Sequence, residues 1–177
     1  TEKTPAMWAS DFSFYYGDTL EADRQKLVDT AISQWRNGSI TSLCWHEQRP
    51  SDPYNAGWQS VQGNWYTDEE MTQLVTPGTE LYNQWKAHMD TIVPILWRPY
   101  HENNATWFWW GGRPAQTVQL WKNMYNYFTK ECGLNNLLWV WSPASNNEWA
   151  DPLAPYYPGD EYVDICSIDI YDGFKPE

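Results

Sequence analysis

The residues best suited to chemistry stand together at His101-Glu102, and five positions on begins an unbroken aromatic run, Trp107-Phe108-Trp109-Trp110. A carboxyl group beside indole rings and an imidazole has the makings of a tuned acid. Apolar walls disfavour its charged form, and the histidine can position or polarise it. The same residues also read as a buried aromatic loop with a solvated glutamate at its lip, because perturbed carboxyls mark sites only as a tendency.

A strand must position this pair. Val93 to Trp97 is a short apolar run, and Pro99 ends any hydrogen-bonded ladder. Gly111 and Gly112 then let the backbone turn towards a helix opening at Pro114 and running to about Cys132. Upstream, a first strand is predicted over 6–12. Thr19 is offered as the cap of a helix over about 20–37, with Leu27, Val28, Ala31, Ile32 and Trp35 on one face and Gly38 as its stop. A second strand over 39–45 ends in Trp45-His46, and a long loop follows, carrying Trp58 and Trp65. Loops of that length in compact domains are usually functional or disordered, and the aromatics favour function. Thr67-Asp-Glu-Glu70 has the form of a capping box, and a helix over 79–91 buries Leu81, Trp85 and Met89. Two more strands are predicted, over 136–141 before Ser142-Pro143 and over 163–170, closing on Asp169 and Tyr171.

Strands and helices alternate, the order of an α/β protein with a parallel sheet, either doubly wound or a (β/α)8 TIM barrel. No glycine-rich phosphate loop follows the first strand, which weakens the nucleotide-binding alternative. Polar residues suited to a site also hang from the ends of three strands: His46, then His101-Glu102, then Asp169 with Tyr171. A barrel gathers such ends over one face.

Composition narrows the ligand. A net charge of −12 makes nucleic acid and anionic membrane poor partners. Fourteen tryptophans and twelve tyrosines exceed what one core needs, and flat rings in clefts stack on sugar faces, so a carbohydrate is favoured. Cys44, Cys132 and Cys166 cannot pair completely and are expected as buried free thiols. His46, His88 and His101 are scattered at spacings that match no zinc site, so neither metal nor cofactor is expected. Asn37-Gly-Ser39 and Asn104-Ala-Thr106 are glycosylation sequons by form; a glycan two residues past Glu102 would obstruct a cleft, so the second reads as coincidence.

Arg98-Pro-Tyr-His-Glu-Asn-Asn-Ala-Thr-Trp-Phe-Trp-Trp-Gly111 closely resembles the segment after the fourth strand in glycoside hydrolase family 26, best known for endo-β-1,4-mannanases. Trp141-Ser-Pro143 and the stretch from Tyr156 to Asp172 resemble that family's fifth- and sixth-strand regions. The resemblance implies a (β/α)8 barrel that hydrolyses internal β-mannosidic bonds with retention. It implies Glu102 as general acid/base, with His101 orienting groups at the scissile sugar and Trp107 beneath that sugar. It implies that His46, with Trp65 as an aromatic neighbour, binds the same subsite, and that Asp169 and Tyr171 support the site. On residues alone, His46 also reads as a satisfied histidine at a strand end, and Trp65 as packing its own loop. Asp169 also reads as a helix cap, and Arg98 as a structural ion partner.

Five predicted strands correspond to strands two to six of such a barrel, so the chain is expected to be truncated at both ends, one partial catalytic domain over residues 1–177. A retaining glycosidase needs a second carboxylate about 5–5.5 Å from the first. The resemblance puts that nucleophile on a seventh strand, beyond Glu177. The expected partner is β-mannan or a manno-oligosaccharide, met by a secreted monomer in the extracellular space or periplasm. The alternatives are a β-1,3-xylanase, a mixed-linkage β-glucanase, or a mannan-binding protein that does not cut.

Overall fold

The computed structural model describes residues 6–12, 20–52, 57–89, 96–145 and 148–171. Thr19, offered as a cap, the start of the strand read from Val93, and Asp172 lie outside the described residues.

Among the described residues five strands pair in chain order, β1 (Met7–Asp11), β2 (Ile40–Trp45), β3 (Leu96–Pro99), β4 (Leu138–Trp141) and β5 (Ile165–Cys166). Every pairing is parallel, as the alternation of elements requires. Among the described residues four α-helices stand between them: α1 (Leu20–Arg36), α2 (Asp68–Leu74), α3 (Glu80–Met89) and α4 (Pro114–Asn126). The capping box forms as read, with Thr67 and Glu70 each accepting the other's backbone N–H. Pro114 opens α4, whose helical path is prolonged through a wider π-type turn at Tyr127–Glu131.

Register divides the sheet into two unlike faces. Leu43, Trp97 and Trp139 stand side by side across β2, β3 and β4, all fully buried. Rings continue from strand to strand: Phe12 meets Trp45 and Trp97 edge-on at 6.3 and 6.2 Å, and Phe128 lies 6.0 Å from Trp97 and 6.2 Å from Trp139. Each buried indole removes roughly 150–250 Å² from water, a gross gain of about 4–6 kcal/mol before entropy is counted. On the opposite face the register lines up Asp11, Cys44 and Arg98. At that face's other end Met7, Ile40 and Leu138 are exposed.

Three expectations need correction. Trp35 is 60% exposed, because the apolar stripe of α1 ends a turn before the helix does. Cys132 and Cys166 are exposed rather than buried, the first past the end of the α4 path and the second on the edge strand; Cys44 is half-buried. The last strand is much shorter than read, although Asp169 still makes a parallel bridge to Ala144.

Candidate active site

The chain leaves β3 through two non-glycine residues in the left-handed region, Tyr100 (φ 48°) and Glu102 (φ 53°). Each such residue costs roughly 1–2 kcal/mol and persists only where its surroundings over-determine it. The surroundings here do so. Trp85 Nε1 donates to the buried Tyr100 hydroxyl at 3.1 Å, Trp110 Nε1 to the His101 carbonyl at 2.9 Å, and Glu102 N to the Ser142 carbonyl at 2.7 Å. The double turn leaves Glu102 only 4% exposed at the wall of a cleft of about 650 Å³.

The aromatic run is the clamp around that turn. Trp107 Nε1 donates to Glu102 Oε2 at 2.7 Å, fixing the carboxyl directly. Phe108 stacks on Trp110 with centroids 4.4 Å apart, and both lie against the His101 ring. Trp109 reaches the other way and donates to the Glu47 carbonyl at 2.8 Å. All three indoles of the run thus spend their N–H on the strand ends that carry the site. Gly111 closes the loop where a Cβ would come within 2.1 Å of the Ala105 carbonyl, so no larger residue fits.

Two imidazoles form the next layer. His46 and His101 meet Nε2 to Nε2 at 3.1 Å with rings at 82°. His46 Nδ1 is hydrogen-bonded to Asp11 Oδ2, and His46 N donates to Asp11 Oδ1 at 3.3 Å. Burial first, then His46 and Arg98, push His101 down to about 3, so its ring is neutral at ordinary pH. Asp11, Cys44 and His46 offer donor atoms within 4.8 Å of one another, the one such group among the described residues. They are engaged with each other: the Cys44 thiol donates to Asp11 Oδ2 at 3.3 Å, and burial ahead of the Asp11 charge pushes that thiol up to about 12. A thiol held so firmly protonated is a poor metal ligand.

Asp169 forms the opposite flank. Both of its carboxylate oxygens are bonded by Arg98 Nη2, and Ser142 Oγ donates to Oδ1 at 2.8 Å. Ser142 therefore joins the two sides, taking the Glu102 amide on its carbonyl and giving its hydroxyl to Asp169. The Tyr171 phenol is raised to about 12, chiefly by its approach to the Glu102 carboxylate and next by burial.

Of the residues singled out in the sequence, His46, His101, Glu102, Trp107, Asp169 and Tyr171 all line this one cleft. Trp65 is not among the lining residues: it is 52% exposed, its indole N–H bonds to the Gln62 carbonyl, and the Arg49 guanidinium covers its ring at 4.0 Å. Trp58, from the same loop, lines the cleft instead, 5.5 Å from the His46 ring. Sequence reading passed over Asp11 and Cys44. The available signal was only a polar residue closing the predicted first strand. Asn104 is fully buried and bonds Ala144 and Asp151 with its amide, so the second sequon is a structural brace between loops.

This geometry has close relatives. The chain is 32% identical over 97% of its length to a mannan endo-1,4-beta-mannosidase of Thermothelomyces thermophilus, covering 37% of that protein, and 30% identical to one of Bacillus subtilis, covering 52%. It thus spans between about a third and a half of the length of these curated relatives. Among solved structures it resembles GH26A from Muricauda sp. MAR_2010_75 (TM-score 0.83, 36% identity, 95% of this chain and 60% of that one). It also resembles a beta-mannanase from a symbiotic protist of the termite Reticulitermes speratus, complexed with gluco-manno-oligosaccharide (TM-score 0.79, 34% identity, 96% and 56%). These structures make the five-stranded parallel sheet an arc of a (β/α)8 barrel. The model of glycosyl hydrolase family 26 matches residues 1–175, and the chain belongs to that family.

Proposed function

We propose that this chain carries the acid/base half of an endo-β-1,4-mannanase, with Glu102 protonating the leaving oxygen and later activating water. The observation that carries the reading is the Glu102 carboxyl itself: nearly buried, tied to Trp107 Nε1 and faced by Tyr171, at the wall of an aromatic cleft in a family 26 chain. Trp107 and Trp58 are flat surfaces for pyranose rings, and His46 and His101 offer nitrogens to their hydroxyls. Endo-acting mannosidases among the relatives supply the substrate class. A polymeric substrate of this kind is met outside the cell or in the periplasm.

Retention requires a second carboxylate about 5–5.5 Å from the first. Asp169 is held by Arg98 and Ser142, an arrangement that suits it to brace the site, as the resemblance implies. We assign the nucleophile to sequence following Glu177.

The test uses protein that includes that sequence. Glu102→Gln is expected to lower kcat on unactivated mannan about 10²- to 10⁴-fold, the usual worth of general acid help. A dinitrophenyl mannoside, whose leaving group needs little protonation, should still glycosylate the enzyme, and azide should speed its release. Mannan hydrolysis within a few-fold of the parent would remove Glu102 from the role. Unaltered oligosaccharide binding by a parent protein without turnover would make it a binding module.

A further inference from the structure

We infer that Asp11 is a positioning residue that sets the order of protons along the His46–His101 pair, so that His46 Nε2 accepts and His101 Nε2 donates where the two rings meet at the cleft. The inference rests on the cleft being the sugar site proposed above. It follows from which atoms meet. Asp11 closes β1 directly beside Cys44 in β2, and His46 stands two residues further on. The carboxylate grips His46 twice, accepting its backbone N–H at 3.3 Å on Oδ1 and facing ring nitrogen Nδ1 with Oδ2. An ionised carboxylate only accepts, so His46 Nδ1 must carry the proton.

If the ring holds that one proton, its lone pair is on Nε2, and the complement to it at 3.1 Å is Nε2–H of His101. His101 is then bare at Nδ1. The buried ring bears no second proton, in keeping with its depressed basicity. A sugar hydroxyl inserted between the two nitrogens in place of their direct bond would donate to His46 and accept from His101. Reversing the proton order exchanges those two roles without moving a heavy atom of either ring. The arrangement has the logic of a carboxylate fixing an imidazole tautomer beside a reacting centre.

Asp11→Asn separates this role from simple packing. The His46 backbone N–H is the stronger of the two donors facing the carboxylate and takes the new carbonyl, so the amide faces His46 Nδ1 and the Cys44 thiol, which donates to Oδ2 in the parent, turns to accept weakly. An amide donates, so His46 should move its proton to Nε2 and His101 to Nδ1. In protein of the length used above, long-range 1H–15N correlation of the imidazoles should show protonated His46 Nδ1 and His101 Nε2 in the parent. Both assignments should reverse in the variant. Its kcat/KM on mannan should fall about 10- to 100-fold, the usual cost of losing an orienting partner, with the thermal midpoint unmoved. Asp11→Glu, which still only accepts, should keep the parental tautomers. A parent with the opposite order, or a variant that keeps the parental one, overturns the inference. So does reversal with unchanged kcat/KM. The tautomer readings need no turnover, so failure of the mannanase proposal would leave them intact, and their failure would leave the Glu102→Gln result untouched.

Discussion

The two faces of the sheet differ in what they ask of the same strands. Beneath α1 and α4 the strands present Leu43, Trp97 and Trp139, and Phe128 packs edge-on against Trp97 and tilted against Trp139. On the other face, one residue along in each strand, they present Asp11, Cys44 and Arg98, tied into hydrogen bonds that end at the two histidines and Asp169. A period of two lets one strand do both. The covered face gains stability from burial. The other spends some of it on polar groups that must be satisfied before they can position a side chain.

If that division holds, substitutions should separate cleanly. The largest effect belongs to the polar face: Glu102→Gln, costing about 10²- to 10⁴-fold in kcat, should leave the urea midpoint close to the parent's. A large loss of stability would mean the glutamate belongs to the fold. Next, Trp97→Ala on the covered face should cost about 3–5 kcal/mol by urea unfolding. A loss below about 1 kcal/mol would show that the aromatic face is not the principal core.

Acid should strike the polar face. His101 is neutral down to about pH 3 when folded, whereas the unfolded residue takes a proton near 6.5. Below 6.5 the unfolded state therefore binds more protons, and stability should be lost progressively as pH falls towards 3. The loss should be on the order of a few kcal/mol, and His101→Gln should flatten that part of the profile. Parallel profiles for parent and variant would show that the imidazole is not held neutral.

Smaller changes sharpen the boundary. Arg98→Met removes the Asp169 partner at a half-buried site and should cost about 1–2 kcal/mol, with mannan turnover falling more than stability suggests because Ser142 and Glu102 share that network. Smallest of all, Trp65→Ala should cost only about 0.5 kcal/mol, the worth of its exposed contact with Arg49. Trp58→Ala should weaken tryptophan quenching by manno-oligosaccharides more than Trp65→Ala does. The reverse ranking would return Trp65 to the sugar site.

Sequence alone determined a good deal. Apolar runs bounded by Pro99 or Gly38 marked the parallel strands in order, because burial on a sheet demands that local pattern. His101-Glu102 and the aromatic run were legible because they are contiguous, and strand ends converge wherever such strands are wound parallel. Only the tertiary structure showed that Trp58, and not Trp65, lines the cleft, since a long loop's path is set by what it meets. It alone joined Asp11 to His46, 35 residues apart, and Arg98 to Asp169, 71 apart. Register is a property of paired strands, and one strand read alone does not say whose polar residue will stand beside its own.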